Sequence, residues 1–255
     1  RAYADRSEYL GDPDFVDIPV KSLTSKNYAD ALRTNIDLEV ATPSQNIRPG
    51  TKMPKESMNT THYSIIDRKG NAVSVTYTLN FSYGSGYSVD GAGFLLNNEM
   101  DDFSSKPGSP NGYGLIGGEA NKIAPAKRPL SSMTPLIIKK DKQVVLVTGS
   151  PGGSRIITSV LQMVLNVIEW NMNLSEAVNQ PRIHHQWLPD VVDIERGISV
   201  DVIKKLNKMG HKFLLDENGN YDYDILGRVN SVGQDSNLLV GSADPRGPKS
   251  AAIGF

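Results

Sequence analysis

The sequence contains no cysteine among its 255 residues and only four histidines. Without cysteine, disulfide bonds, thiol nucleophiles and thiolate metal ligands are excluded, although the cellular compartment stays open. His62, His184, His185 and His211 offer few bases for a serine-hydrolase triad, and the G-x-S-x-G motif of many such enzymes is absent. Another kind of nucleophile therefore has to be considered.

The sequence also lacks a long apolar run and an excess of either charge. No stretch of about 18 apolar residues predicts a membrane span, and no charged-then-apolar leader predicts a signal peptide. The formal net charge of -1 gives no electrostatic reason to expect nucleic acid or an anionic membrane as partner. The chain begins at Arg1 rather than methionine, as expected of a processed product or a fragment. We expect a small-molecule partner.

What is present is the composition of a folded protein, 38% hydrophobic and 22% charged. Alternating apolar residues predict two β-hairpins, and a strand pair is predicted near the end of the chain. Apolar residues at helical spacing predict several helices. This order predicts an α+β layered fold with antiparallel sheets. The predicted hairpins are 60–80 and 134–149, the strand pair is 228–245, and the helices are 21–36, 156–168, 175–179 and 199–210.

Two stretches follow neither pattern. Residues 41–59 contain three prolines and a glycine, which predicts an exposed linker. Residues 80–128 are rich in glycine and are predicted to form loops. Within them, KPGSPNGYGLIGG (106–118) surrounds Tyr113 with glycine, proline and serine, a composition typical of a lid or binding loop.

A glycine-rich segment, GSPGGS (149–154), stands between a predicted strand and the predicted helix 156–168. Backbone N–H groups at such a junction bind negative charge, so a phosphate, a substrate carboxylate or a developing oxyanion could lie there. The residues required for a P-loop or a dinucleotide fingerprint are missing, which disfavours phosphate. A glycine turn that merely lets the helix pack closely on the sheet is an equal alternative.

Other polar groups are ambiguous on their own. Ser131 and Ser132 could donate two hydroxyls to one acceptor or simply form a polar loop. The acidic cluster Glu99, Asp101 and Asp102 could bind a cation or an ammonium group, but such clusters are more often solvated. The pair His184-His185 lacks the spacing of a metal site, so neither a metal nor another cofactor is predicted.

Thr60 and Thr61 stand where the linker enters the first hairpin. A threonine hydroxyl needs a base, and its own α-amine can serve once the residue begins a chain. That arrangement requires a peptide bond to be cut just before the threonine. For an arbitrary pair of threonines, strand propensity is the simpler explanation.

Several motifs together resemble one family. They are TTHYSIIDRKGNAVSVTYTLN (60–80), GFLLNNEMDDFS (93–104), KRPLSSMTP (127–135) and LVTGSPGGSRIITSVLQMVLNVIEWNMNLSEAV (146–178). This part of the chain resembles the small subunit of bacterial γ-glutamyltranspeptidases, members of the N-terminal nucleophile hydrolase superfamily. Residues 1–59 resemble the end of the large subunit, and 60–255 the catalytic small subunit. The resemblance implies an αββα sandwich, incomplete here because most of the large subunit is absent.

The resemblance also implies a role for individual residues. The precursor would cut itself between Asn59 and Thr60, which makes Thr60 the nucleophile. Thr78 would assist Thr60, and Gly152 and Gly153 would form the oxyanion hole. The glutamyl head with its α-amino group would be bound by Asn80, Glu99 and Asp102, and its carboxylate would be held by Ser131 and Ser132. Tyr113 would lie in the lid.

The implied activity is γ-glutamyl transfer and hydrolysis on glutathione and related amides, with amino acids or peptides as acceptors. The implied partner is the large-subunit portion of the same precursor, in the periplasm or outside the cell. Two alternatives stay open: an acylase of the same superfamily with another acyl group, such as a cephalosporin acylase, and an inactive fragment that needs the missing half.

Overall fold

The structure, a computed structural model, describes residues 1–47, 60–235 and 238–254. Helices and strands alternate in groups along the chain, joined by a long irregular segment between residues 79 and 135. In chain order the elements are helices α1 (Ala2–Tyr9), α2 (Val20–Leu23) and α3 (Lys26–Thr34), strands β1 (Thr60–Ile66), β2 (Ala72–Thr78), β3 (Leu136–Lys140) and β4 (Gln143–Thr148), helices α4 (Arg155–Ile168) and α5 (Leu174–Asn179), strands β5 (Ile183–His184) and β6 (Asp193–Ile194), helix α6 (Val200–Lys208), and strands β7 (Ser231–Asp235) and β8 (Leu238–Ser242).

The predicted first hairpin is confirmed as the antiparallel pair β1-β2. Its register places Thr60 opposite Thr78 and Ile66 opposite Ala72. The Asp67 carboxylate accepts the backbone N–H groups of the turn, which fixes the reversal of the chain. The same register brings the two candidate threonines together at the open end of the hairpin.

The second predicted hairpin and the terminal strand pair form one sheet. Its order is β3-β4-β7-β8, with every neighbouring pair antiparallel. The β3-β4 turn places Asp141 and Lys142 at φ values of 51° and 69°, the combination that a tight two-residue hairpin turn requires. Both predictions are therefore correct in place and in type.

The two faces of this sheet carry different neighbours. Side chains alternate across a strand, so Leu146 and Gly149 face opposite ways. Leu146 packs with Met163 of α4 and Val178 of α5 in a buried apolar cluster. On the other side, Gly149 lies against the imidazole of His62 on β1. The described chain therefore stacks a hairpin, a sheet and a helical layer, as the predicted α+β class requires.

Two local predictions need correction. The single helix predicted over 21–36 is two helices, because Ser25 interrupts it and caps α3 by accepting the N–H of Tyr28. The linker predicted to be exposed is buried at Ser44, whose hydroxyl donates to Asp190 at 2.7 Å. Residues 48–59 of that linker lie outside the described residues.

Helix α1 is an element that the apolar pattern did not predict, and it packs on the rest of the chain. Ala4 is buried together with Ile116 and Trp187. Farther along, the Asp12 carboxylate accepts both the backbone N–H and the side-chain Nε of Arg128. The first 47 residues are thus held against the region after Thr60. None of the helices in the described part of the chain has the length and apolar character needed to span a bilayer.

Candidate active site

The two threonines at the end of the hairpin form a directed pair of hydrogen bonds. Thr60 Oγ1 donates to Thr78 Oγ1 at 3.2 Å, and Thr78 Oγ1 in turn donates to the carbonyl of Asn80 at 3.4 Å. The Thr78 hydroxyl also accepts the backbone N–H of Asn80 at 2.9 Å. Thr78 is therefore held on three sides, and it orients the hydroxyl of Thr60.

This arrangement depends on a reversal of the backbone just after β2. Asn80 has φ 73°, a left-handed conformation that asparagine tolerates better than most residues. The turn folds the Asn80 backbone back onto Thr78 and buries its side chain, whose amide donates to the carbonyl of Asn98. The Asn80 carbonyl also accepts the hydroxyl of Tyr113 at 2.6 Å. One carbonyl thus joins the threonine pair to the predicted lid.

The glycine-rich segment lies beside this group. Gly152 and Gly153 have φ values of 137° and 54°, both in the range that favours glycine. A Cβ atom on Gly153 would lie 2.4 Å from the Tyr113 ring, so the close approach also requires glycine there. Among the described residues, neither glycine N–H donates a hydrogen bond. Both amides remain available for an oxyanion.

Two predicted carboxylates lie at the other side of the pocket. The pKa of Asp102 is raised to about 7, mainly because the carboxyl is buried and secondly because of the charge of Glu99. Burial also raises the pKa of Glu99, while its hydrogen bond to Asp102 acts in the opposite direction. Asp101, the third member of the acidic cluster, instead accepts the N–H of Gly112 and so anchors the lid loop. Glu99 and Asp102 bond to each other, and Oε1 of Glu99 is buried with no hydrogen-bond partner among the described residues.

The serine pair is joined to α1 by an arginine that the sequence analysis missed. Arg6 Nη2 donates to Ser132 Oγ at 2.9 Å, and its charge acts on Asp102. Ser131 is more exposed, and its hydroxyl accepts the N–H of Met133. A motif search around the serines could not find Arg6, because it lies on an unpredicted helix more than a hundred residues earlier.

Most of the predicted site residues line one pocket. It contains the threonine pair, the head-group candidates and one oxyanion glycine: Thr60, Thr78, Asn80, Asp102, Tyr113, Ser131, Ser132, Met133, Gly153 and Ile156. Two further predicted residues adjoin the pocket without lining it. Glu99 interacts with Asp102, and Gly152 directly precedes Gly153 in the glycine-rich segment. Asn59, on the other side of the predicted cleavage bond, lies outside the described residues.

The histidines are not part of this pocket. His62 is buried beneath the hairpin, where its ring nitrogens contact the hydroxyls of Thr76 and Ser64. His184 is buried against Thr158 and Gln186. Within the described residues, no group of three histidine, aspartate or glutamate side chains could hold a metal ion.

Comparisons with known proteins show which family the chain belongs to. A family model described as gamma-glutamyltranspeptidase matches residues 1–254. A glutathione hydrolase proenzyme of Escherichia coli (strain K12) is 54% identical over 254 residues, which cover 100% of this chain and 43% of that protein. The chain therefore spans less than half the length of this curated relative.

Solved structures show the same likeness. A mutant of Helicobacter pylori gamma-glutamyltranspeptidase matches with 57% identity and a TM-score of 0.68, covering 73% of this chain and 100% of that chain. A cephalosporin acylase from Bacillus halodurans matches with 25% identity and a TM-score of 0.76, covering 99% of this chain and 43% of that chain.

Proposed function

This chain belongs to the gamma-glutamyltranspeptidase family, and from that premise we propose that it carries the nucleophile of a glutathione hydrolase proenzyme. The whole protein would transfer γ-glutamyl groups from glutathione and related amides to water or to an amine. The observation that carries this proposal is the hydrogen bond from Thr60 to Thr78 in a pocket shared with Gly153 and the head-group residues.

Maturation is the first proposed step. The Thr60 hydroxyl attacks the carbonyl carbon of Asn59, the peptide C–N bond breaks, and an ester forms while the nitrogen of Thr60 becomes an amine. Water then hydrolyses the ester and leaves two chains. The free α-amine of Thr60 supplies the base that the hydroxyl lacks within an uncut chain.

Acyl transfer follows on the same hydroxyl. Thr60 Oγ1 attacks the γ-glutamyl carbonyl while its α-amine takes the proton and Thr78 holds the oxygen in line. The Gly152 and Gly153 amides stabilise the resulting oxyanion. The C–N bond to Cys-Gly breaks, and the departing amine receives the proton. Water or an acceptor amine attacks the remaining γ-glutamyl ester and releases Thr60.

Recognition of the glutamyl head rests on charge. The carboxylates of Asp102 and Glu99 attract the α-ammonium group, and an ionised hydrogen-bond pair is stronger than a neutral one. The hydroxyls of Ser131 and Ser132 bind the α-carboxylate. Asn80 completes the contacts to the head group.

The organisation of the chain is part of the proposal. Residues 1–59 are the end of the large-subunit portion, and 60–255 are the small subunit. The rest of the large-subunit portion completes an αββα sandwich of which this chain holds a part. Glutathione and amino-acid or peptide acceptors reach the enzyme in the periplasm or outside the cell.

A superfamily acylase with a different acyl group is the second candidate, favoured by the likeness to the Bacillus halodurans cephalosporin acylase. It would need the threonine and the oxyanion glycines but no charged head-group site. The presence of Asp102 and Ser132 in the same pocket as Thr60 supports γ-glutamyl chemistry instead. A cephalosporin side-chain amide hydrolysed faster than glutathione would favour the acylase.

The test uses the complete gene product that contains this chain. Intact mass and N-terminal sequencing should reveal a chain beginning at Thr60, and Thr60→Ala should prevent both this cut and glutathione hydrolysis. Thr61→Ala is the matched control, because that threonine is exposed on the opposite face of β1. Cleavage and turnover should persist in it. Retained glutathione hydrolysis by the Thr60→Ala protein would refute the proposal.

A further inference from the structure

A row of polar side chains outside the pocket connects α4 to the lid loop. The Thr158 hydroxyl lies 2.7 Å from Nδ1 of His184, and Nε2 of His184 lies 2.9 Å from Oε1 of Gln186. The Gln186 side-chain amide then donates to the backbone carbonyl of Tyr113 at 3.2 Å. We call Thr158, His184 and Gln186 the polar relay. None of the three lines the pocket that contains Thr60.

The proton arrangement of the polar relay follows from its last acceptor. A backbone carbonyl only accepts, so Gln186 must present its NH₂ group to Tyr113 and its oxygen to His184. The oxygen in turn requires a proton on Nε2 of His184. In the neutral imidazole Nδ1 is then an acceptor for the Thr158 hydroxyl, which also lies 3.1 Å from the Arg155 carbonyl. The Tyr113 carbonyl therefore sets which way the Gln186 amide faces, and His184 holds the oxygen of that amide.

Burial makes these contacts consequential. His184 is 2% exposed, Gln186 8% and Tyr113 3%. Burial also lowers the pKa of His184 to about 4, which keeps the ring neutral at physiological pH. Water cannot readily replace a donor that a buried carbonyl loses, so the loss costs more than it would at the surface. The donor from Gln186 therefore helps to hold the Tyr113 backbone in place.

Tyr113 transmits this constraint to the reacting groups. Its ring lies against Gly153, and its hydroxyl donates to the Asn80 carbonyl that also accepts from Thr78. Its own N–H is held by the side chain of Asn111. A displacement of the Tyr113 backbone would therefore move both the wall over the oxyanion loop and a partner of the threonine pair.

We propose that Gln186, held between His184 and the Tyr113 carbonyl, is a positioning residue that seats Tyr113 against Gly153 and Asn80 and so shapes the pocket for the acyl donor. The inference deepens the proposed γ-glutamyl transfer and rests on it. Gln186 touches no reacting atom. Its main effect is on donor binding, because Tyr113 lines the pocket directly, whereas Thr60 keeps its own hydrogen bond to Thr78.

The variant that tests this is Gln186→Met, which keeps the length of the side chain and removes the amide. The control is Gln162→Met on α4, whose side-chain amide donates to the backbone carbonyls of Thr158 and Ile183, each at 2.8 Å, and not to the lid loop. Gln186→Glu is the second variant: its carboxylate offers no donor to the Tyr113 carbonyl when ionised. All three substitutions are made in the complete gene product.

Two measurements are combined, donor kinetics and hydrogen–deuterium exchange over residues 106–118. In Gln186→Met we expect KM for glutathione to rise about tenfold, the equivalent of about 1.4 kcal/mol, with kcat changed less than about threefold. Exchange over 106–118 should become faster. Gln162→Met should alter neither quantity, even where its melting temperature falls to the same extent.

Unchanged KM and unchanged exchange in a folded Gln186→Met or Gln186→Glu protein would overturn the inference, as would equal changes in Gln162→Met. A wild-type protein that does not turn over γ-glutamyl amides would instead refute the proposed function. In that case the exchange measurement alone decides whether Gln186 positions Tyr113.

Discussion

At the residue scale, the charge of Asp102 controls how the pocket responds to pH. Its pKa of about 7 results from burial and from the neighbouring Glu99, so the carboxyl is protonated and uncharged in mildly acidic solution. An uncharged Asp102 cannot attract an α-ammonium group. On the proposed function, the pocket would therefore bind an α-ammonium group more strongly as the pH rises through neutrality.

We predict that kcat/KM for glutathione falls about tenfold per pH unit below about 7, because only the ionised form of Asp102 binds the donor. Asp102→Asn should lower kcat/KM about 10- to 100-fold at pH 8, the loss of about 1.5–3 kcal/mol expected for a hydrogen bond to a charged group, and should remove this pH dependence. A pH profile of initial rates measures both effects.

Asp101→Asn is the control for that profile. The charge of Asp101 also raises the pKa of Asp102, so its removal should move the midpoint to lower pH while the slope remains. The asparagine oxygen can still accept the N–H of Gly112. A slope that survives in Asp102→Asn would assign the titration to another group.

The sequence identified most of these residues, but only through motifs. Glu99, Asp102 and the serines stand in short stretches whose neighbours resemble one family, whereas the residues alone were consistent with a solvated surface. Arg6 has no motif around it. Its position beside Ser132 depends on how α1 docks, and a contact between residues 126 positions apart is set by tertiary packing rather than by local pattern.

At the element scale, the hairpin β1-β2 has an unusually polar inner face. Thr60, His62 and Ser64 lie opposite Thr78, Thr76 and Ser74 in the register. Such a face cannot pack through apolar contact, so its groups bond to each other and to the sheet: Ser64 donates to the Asn230 carbonyl and Ser74 to that of Thr148. Hydrogen bonding thereby fixes the hairpin that carries Thr60 against the sheet.

This face makes the fold sensitive to acid. Burial lowers the pKa of His62 from 6.5 to about 4. Between these values the unfolded chain binds a proton that the folded chain does not, so stability is complete above about pH 6.5 and is lost as the pH falls towards 4. His62→Gln, which keeps a neutral donor and acceptor, should reduce the difference in free energy of unfolding between pH 7 and pH 5.

Urea titrations of the wild type and His62→Gln at pH 8, 7 and 5 measure this effect. At pH 8 both proteins carry a neutral side chain, so any difference there reports packing alone. A loss of stability between pH 7 and pH 5 that is the same in both proteins would exclude His62 as its source.

Alternation was a reliable guide to β1 and β2, where period two persisted over most of seven residues, whereas β4 contains a continuous apolar run, 144–147. Alternation does not, however, predict which face of the hairpin β1-β2 is buried. Apolar Tyr63, Ile65 and Val73 lie on the exposed face and the polar residues lie inside. A pattern argument alone would assign the inner face to the apolar set, since it cannot register a hydrogen-bonded interface.

At the scale of the whole molecule, the exposed apolar face of the hairpin β1-β2 is a surface on which another part of the protein is expected to pack. Ile65 and Val73 are paired across the hairpin and are 51% and 45% exposed. An apolar face on the hairpin that carries Thr60 is consistent with a chain that spans 43% of the length of the Escherichia coli glutathione hydrolase proenzyme. We infer that the remainder of the large-subunit portion lies on it.

Val73→Thr tests this in the complete gene product. The substitution keeps the shape and adds a hydroxyl, so it should cost about 1–2 kcal/mol of unfolding free energy where the side chain is covered. Val200→Thr on α6 is the control, because Val200 is exposed to the same degree, 46%. Urea titration should show a loss only in Val73→Thr, and an unchanged stability in that variant would contradict the inference.

The seating of α1 has a consequence for the protein after it is cut. Tyr3 donates its hydroxyl to the carbonyl of Ser154, next to the oxyanion glycines, so the portion before Thr60 contributes to the loop that it flanks. Within one polypeptide this docking occurs at a high effective concentration. If the chain is cut before Thr60 as proposed, this docking becomes a bimolecular equilibrium, and the loop keeps the contact with Tyr3 only above the dissociation constant of the two portions.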